Sequence, residues 1–163
     1  EMVELSRRQA ADSETRPQTV TFIKTDDDAT RKEVTLIGGP AQFGPKIRGD
    51  TKVIGKAVLA NPSRGCTEIT NVKEMEGNIA LVSRGNCMFI EKARIIQKTG
   101  AIAGIVLDNT IGSSADSASM FSMSGDGNSS DDIKIPFVFL FHNEASELVR
   151  AVKNGGSDVI VTI

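Results

Sequence analysis

The chain has 163 residues, a length that suits one domain. Hydrophobic residues make up 39%, charged residues 25%, and the formal net charge is −2, which reads as a globular, soluble polypeptide. That balance argues against nucleic acid or an acidic membrane surface as a main partner. The sequence has no Trp, no Tyr, one His and two Cys. One His rules out the two-His helix motif of zinc proteases, and this set cannot fill a Cys₂His₂ or Cys₄ zinc site. A stacking platform for sugars or bases would fall to the seven Phe alone. No apolar run of about 18 residues is present, so no membrane-spanning helix is predicted. No secretory leader opens the chain at Glu1, so a processed or excised fragment is expected.

Residues 1–16 are polar and highly charged and read as a linker or a short solvated helix. Residues 18–24 (QTVTFIK) set Val20, Phe22 and Lys24 against Thr19, Thr21 and Ile23, the alternation of a strand. Residues 26–28 form an acidic turn, and 33–37 (EVTLI) a second strand. Turn dipeptides make 40–50 a loop. Residues 52–60 read as a strand, with Gly55 as a bulge or close approach. A turn at 61–65 precedes an apolar strand at 78–83.

Two stretches carry helical spacing. Over 87–99, Phe89, Ala93, Ile96 and Gly100 form the apolar stripe, and Glu91, Lys92, Arg94 and Lys98 the solvated face. Asn86 is the expected N-cap and Gly100 the stop. Over 143–153 the stripe is Ala145, Leu148, Val149 and Val152. Asn143 is the expected cap and Gly155-Gly156 the stop. Apolar strands are predicted at 102–108, 136–141 and 158–163. This order places two helices against a sheet or barrel. The 110–132 segment holds eight Ser and four Asp, with Ile111, Met120, Phe121 and Met123 as its large apolar residues. Loops of that length are usually functional or mobile. Met120, Phe121 and Met123 are either a contact surface or the pins that hold the loop to the body.

Several motifs fall short of a site. His142, the single His, lacks a nucleophile elbow and reads as a capping or surface residue. The segment 39–46 (GPAQFGPK) approaches a phosphate loop. However, Pro45 precedes the Lys, no Ser or Thr follows it, and Pro40 removes a backbone donor. Asp126, Asn128, Asp131 and Asp132 lack calcium-loop spacing and read as a solvated acidic loop. Arg48-Gly49-Asp50 is the tripeptide integrins read, and a turn accounts for it.

Cys66 follows a turn and Cys87 opens a helix. A low-pKa thiolate, two buried thiols and a disulfide are the three readings, and the disulfide is preferred. A disulfide implies an oxidising compartment. Asn128-Ser129-Ser130 is an N-glycosylation acceptor, placed in the long loop where a glycan fits.

The segment 77–109 resembles the protease-associated domain family. The hallmark is a strand, an Arg-Gly-x-Cys-x-Phe turn, an amphipathic helix, Gly-Ala and an apolar strand ending in Asp/Asn. Here these are Arg84-Gly85-Asn86-Cys87-Met88-Phe89, Lys92, Gly100-Ala101 and Asp108-Asn109. Ile135-Pro136 and PFVFLF resemble a second block, so the likeness covers roughly 35–163 within a domain drawn as 17–163. The resemblance implies an α/β (α+β) fold: a small β-barrel or open β-sandwich flanked by two main helices. Within the family, the chain is most similar to the domain carried by family 47 α-mannosidase-like proteins of the endoplasmic reticulum (ER). That likeness implies a parent enzyme that trims α1,2-linked mannose from misfolded glycoproteins in the ER lumen and uses calcium in its own catalytic domain. No cofactor is expected in this chain, and none of the parent's catalytic carboxylates can be transferred to it. The implied role is protein interaction or substrate recognition. The implied partners are the parent catalytic domain, misfolded clients, or a redox partner such as a disulfide isomerase. A purely structural domain, or the luminal domain of a sorting receptor or membrane-bound ubiquitin ligase, are the alternatives.

Overall fold

The computed structural model describes residues 17–25, 28–47, 52–118, 121–154 and 158–163. The linker 1–16, the Arg48-Gly49-Asp50 tripeptide, Met120 and the Gly155-Gly156 stop lie outside the described residues. Among the described residues, seven strands form one sheet in the order β2-β1-β7-β3-β4-β5-β6. They are β1 (Gln18–Thr25), β2 (Arg31–Gly38), β3 (Ile54–Leu59), β4 (Ile79–Ser83), β5 (Ala103–Leu107), β6 (Phe137–Leu140) and β7 (Ile160–Thr162).

The sheet is mixed. β3 to β6 run parallel, while β1 pairs antiparallel with β2 and β7, and β7 antiparallel with β3. The first and last strands in this order meet at a bridge beyond the end of β2. Gly39 N–H donates to Phe139 O at 2.7 Å, and Phe139 N–H to Gly39 O at 2.8 Å. This seam bends the sheet toward a small barrel. Gly38 permits the approach, because a Cβ there would lie 2.5 Å from the Phe139 carbonyl oxygen.

Strands β4 to β6 are buried almost throughout and nearly all apolar because they are covered on both faces. Helix α2 (Phe89–Gln97) covers one face with Ile90, Ala93 and Ile96, against Ala80, Val82 and Val106. Helix α3 (His142–Asn154) covers the other with Ala145 and Leu148, against Phe22, Leu81 and Ile105. β1 and β2 alternate instead: Val20, Phe22 and Leu36 are buried, whereas Ile23 and Ile37 remain exposed. Gly55 keeps regular register opposite Val161, so it is a close approach and not a bulge. A one-turn helix, α1 (Val72–Met75), which the sequence pattern does not predict, buries Met75.

Both expected helix caps are corrected. Asn86 has φ +74° and lies in the turn, and Met88 is the N-cap of α2. Gly85 and Asn86 both take positive φ, which delays the helix by two residues. Asn143 lies inside α3. The first N–H groups there are met from the distant loop: His142 N–H donates to Ser113 Oγ at 2.9 Å, and Asn143 N–H to Ser113 O at 3.0 Å. Such remote satisfaction of the open donors at a helix start leaves no local cap signature.

Candidate interaction site

A polar cluster lies at the carboxyl ends of the parallel strands β4 and β5. β4 delivers Arg84 and β5 delivers Asp108. An Arg84 Nη atom donates to Asp108 Oδ1 at 3.2 Å. Its guanidinium carbon sits 5.2 Å from the Phe121 ring, 5.5 Å from Phe89 and 5.7 Å from Phe139. Cation–π attraction and the ion pair thus fix one side chain in one place. Burial works against the Asp108 carboxylate, yet hydrogen bonds from the Ser113 hydroxyl, Arg84 and Thr110 N–H hold its pKa below the ordinary value.

The 84–89 turn is closed by a disulfide between Cys66 and Cys87. Beneath it lies Lys92, which the helical pattern places on the solvated face. The structure corrects this: Lys92 is fully buried. Its ammonium donates to Arg64 O at 2.7 Å and Gly85 O at 2.5 Å, and lies 3.4 Å from Cys66 Sγ. Two backbone carbonyls take up the charge that α2 would otherwise expose. Burial, with the nearby Arg64 charge, pushes the Lys92 pKa down to about 8 against the opposing pull of Glu91. A Lys at the fourth position of a helix otherwise lined with small and branched apolar residues carries no sequence signal of burial.

An open groove of about 240 Å³ runs beside this turn, lined by Arg84, Gly85, Cys87, Met88, Phe89 and Ser124. Met88 is 43% exposed there. For the described members of the Met120, Phe121 and Met123 set, the sequence leaves contact surface and loop pins as alternatives. Met123 is fully buried, and its N–H donates to Pro40 O at 2.9 Å. Phe121 is half-buried, with ring centroids 4.7 Å from Phe139 and 5.7 Å from Phe89. These two residues pin the loop to the body. Asn128, the glycan acceptor, is exposed.

The acidic loop is tied to α2. Arg94 donates to Asp132 Oδ2 at 2.9 Å and Asp126 Oδ2 at 3.1 Å, and the Gln97 amide donates to Asp132 O at 2.7 Å. The Arg94 pairing holds the Asp132 carboxyl below its usual range. Asn128 N–H and then Arg94 do the same for Asp126. Two of the loop's carboxylates are thereby committed. Among the described residues no group of three or more His, Cys, Asp or Glu is placed to hold a metal ion. No helix of the described residues is long and apolar enough to cross a membrane.

Residues 53–148 match the PA domain family, and the chain belongs to that family. Over 153 residues it is 44% identical to the human ER degradation-enhancing alpha-mannosidase-like protein 3, covering 94% of this chain and 16% of that protein. It is 34% identical over 114 residues to the Arabidopsis thaliana receptor homology region, transmembrane domain- and RING domain-containing protein 2, covering 68% of this chain and 23% of that one. The chain therefore spans well under a third of either relative. The fold is similar to an aminopeptidase from Aneurinibacillus sp. strain AM-1, with TM-score 0.56 and 23% identity, covering 90% of this chain and 32% of that structure.

Proposed function

We propose that the domain is a noncatalytic protein-interaction and substrate-recognition module of a family 47 α1,2-mannosidase-like protein. It serves the degradation of misfolded glycoproteins from the ER lumen. The observation that carries this reading is the 44% identity over nearly the whole chain to a mannosidase-like relative named for that process. The groove beside the 84–89 turn is the contact surface, with the exposed Met88 as its apolar anchor. Its partners are the parent catalytic domain, misfolded clients or a redox partner, and calcium belongs to the parent's catalytic domain. A disulfide and a glycan at Asn128 suit that compartment.

The test uses the full-length parent with and without this domain, measuring mannose release from a native and a misfolded glycoprotein. Selective loss on the misfolded substrate is expected. Equal loss on both would replace recognition with a structural role. A second reading, the luminal domain of a membrane-bound ubiquitin ligase, has the RING-containing relative in its favour. A RING segment on the same transcript would establish it.

A further inference from the structure

We propose that the Cys66–Cys87 disulfide is a polarised thiol–disulfide exchange site, in which Cys87 takes an incoming thiolate and Cys66 is the leaving sulfur. The partner is a dithiol oxidoreductase. This deepens the reading above by giving its redox partner a place to react.

Three observations set the polarity. First, the Lys92 ammonium lies 3.4 Å from Cys66 Sγ, and among the described residues no side-chain donor is placed on Cys87 Sγ. A thiolate released at Cys66 meets a buried positive charge already held in place by the Arg64 and Gly85 carbonyls. Second, both cysteines are half-buried, but Cys87 and not Cys66 lines the open groove, where an incoming sulfur has room to approach. Third, the start of α2 would favour a thiolate at Cys87, but Glu91 occupies it. Its carboxylate accepts the Met88 N–H at 2.9 Å and offsets the positive end of the helix. Exchange is fastest when the departing thiol is the more acidic one, which makes Cys66 the better leaving group.

The exchange balances in two steps. The partner's thiolate attacks Cys87 Sγ, the Cys66–Cys87 bond breaks, and Cys66 departs as a thiolate paired with Lys92. The partner's second thiol then gives its proton to solvent and attacks the partner's own sulfur in the mixed disulfide. Cys87 departs as a thiolate and takes up a proton. Two electrons pass from the partner's dithiol to this disulfide, and the partner leaves oxidised. The cross-link that closes the 84–89 turn is thereby opened.

The test incubates the oxidised 163-residue chain with reduced glutathione. A parallel sample receives a thioredoxin-type protein whose resolving Cys is replaced by Ser. Acid quenching, N-ethylmaleimide and peptide mapping then locate the adduct. The expected result is the mixed disulfide on Cys87 and the maleimide on Cys66. Lys92→Gln, checked for folding by far-UV circular dichroism, is expected to slow exchange about three- to tenfold and to erase the preference. Glu91→Gln, which frees the helix terminus, is expected to shift part of the adduct to Cys66. An adduct chiefly on Cys66, an even split, or no exchange in the folded wild type overturns the proposal. So does a folded Lys92→Gln variant with unchanged rate and map. If that variant does not fold, the wild-type and Glu91→Gln maps decide the polarity. Mannose trimming is measured separately, so failure here leaves the recognition reading standing or falling on its own assay.

Discussion

Arg84 and Asp108 meet at 3.2 Å across the ends of adjacent parallel strands, with the carboxylate almost wholly buried and the guanidinium about a third exposed. The pair locks β4 to β5 where the chain leaves the sheet. Arg84→Ala removes both the ion pair and the contact with three phenyl rings. It is expected to cost about 1–3 kcal/mol, read from a urea unfolding midpoint. A change below about 0.5 kcal/mol would mean that Ser113 and Thr110 suffice for Asp108.

The same carboxylate gives the domain an acid limb. The Asp108 pKa lies below its unfolded value, so its stabilisation is complete above the unfolded pKa near ~3.9 and fades as pH falls through the native one. Asp108→Asn is expected to flatten stability against pH below about 4 relative to wild type. Unfolding midpoints between about pH 5 and pH 2 check this.

Lys92 acts with the opposite sign. Its native pKa is about 8, whereas an unfolded Lys titrates near ~10.4. Between those values the unfolded chain holds the proton and the native one has released it, so stability rises with pH. Lys92→Met removes that slope. The wild-type advantage over this variant is expected to grow from pH 8 toward about pH 10 in paired urea titrations. A constant difference would mean that water reaches the ammonium. At neutral pH the variant loses about 1–3 kcal/mol, because the Arg64 and Gly85 carbonyls lose their donor.

Met123→Ala is expected to destabilise by about 2–4 kcal/mol while leaving partner binding in the folded protein unchanged, since the side chain is wholly interior. Calorimetry and a pull-down on the same preparation separate the two effects. Weakened capture at unchanged stability would restore Met123 to a contact surface.

Asn128→Gln is expected to abolish the gel shift that endoglycosidase produces on protein secreted by a eukaryotic host. Arg94→Ala, which frees Asp126 and Asp132, is expected to speed proteolysis within 124–134. An unchanged digestion rate would show that Gln97 alone holds the loop.

The strands were legible because their signals are local. Val20 and Phe22 alternate with polar neighbours, and β5 and β6 are unbroken apolar runs. The positions of α2 and α3 were legible for the same reason, whereas the single turn of α1 is too short to show a periodicity. The starts of α2 and α3 were not, because Ser113 supplies the α3 donors from a remote loop and two positive-φ residues delay α2. The site was least legible at Lys92. Helical periodicity reads a charged residue as solvated, and only the three-dimensional path of 64–66 and 85–87 brings carbonyls and sulfur around it. The sequence left Met123 and Phe121 open between contact and anchor, because an apolar residue in a polar loop has the same pattern whether it faces solvent or pins the loop.

Phe139 joins two parts of the molecule that are otherwise described separately. Its main chain makes the Gly39 bridge that draws the two outermost strands together. Its ring supports Phe121, Phe89 and the guanidinium of Arg84. A ligand that displaces Arg84 would therefore press on the residue that fastens the cylinder shut. Occupancy of the groove and tightness of the seam become one mechanical variable, and hydrogen exchange at the Gly39 and Phe139 amides would register a guest that touches neither of them.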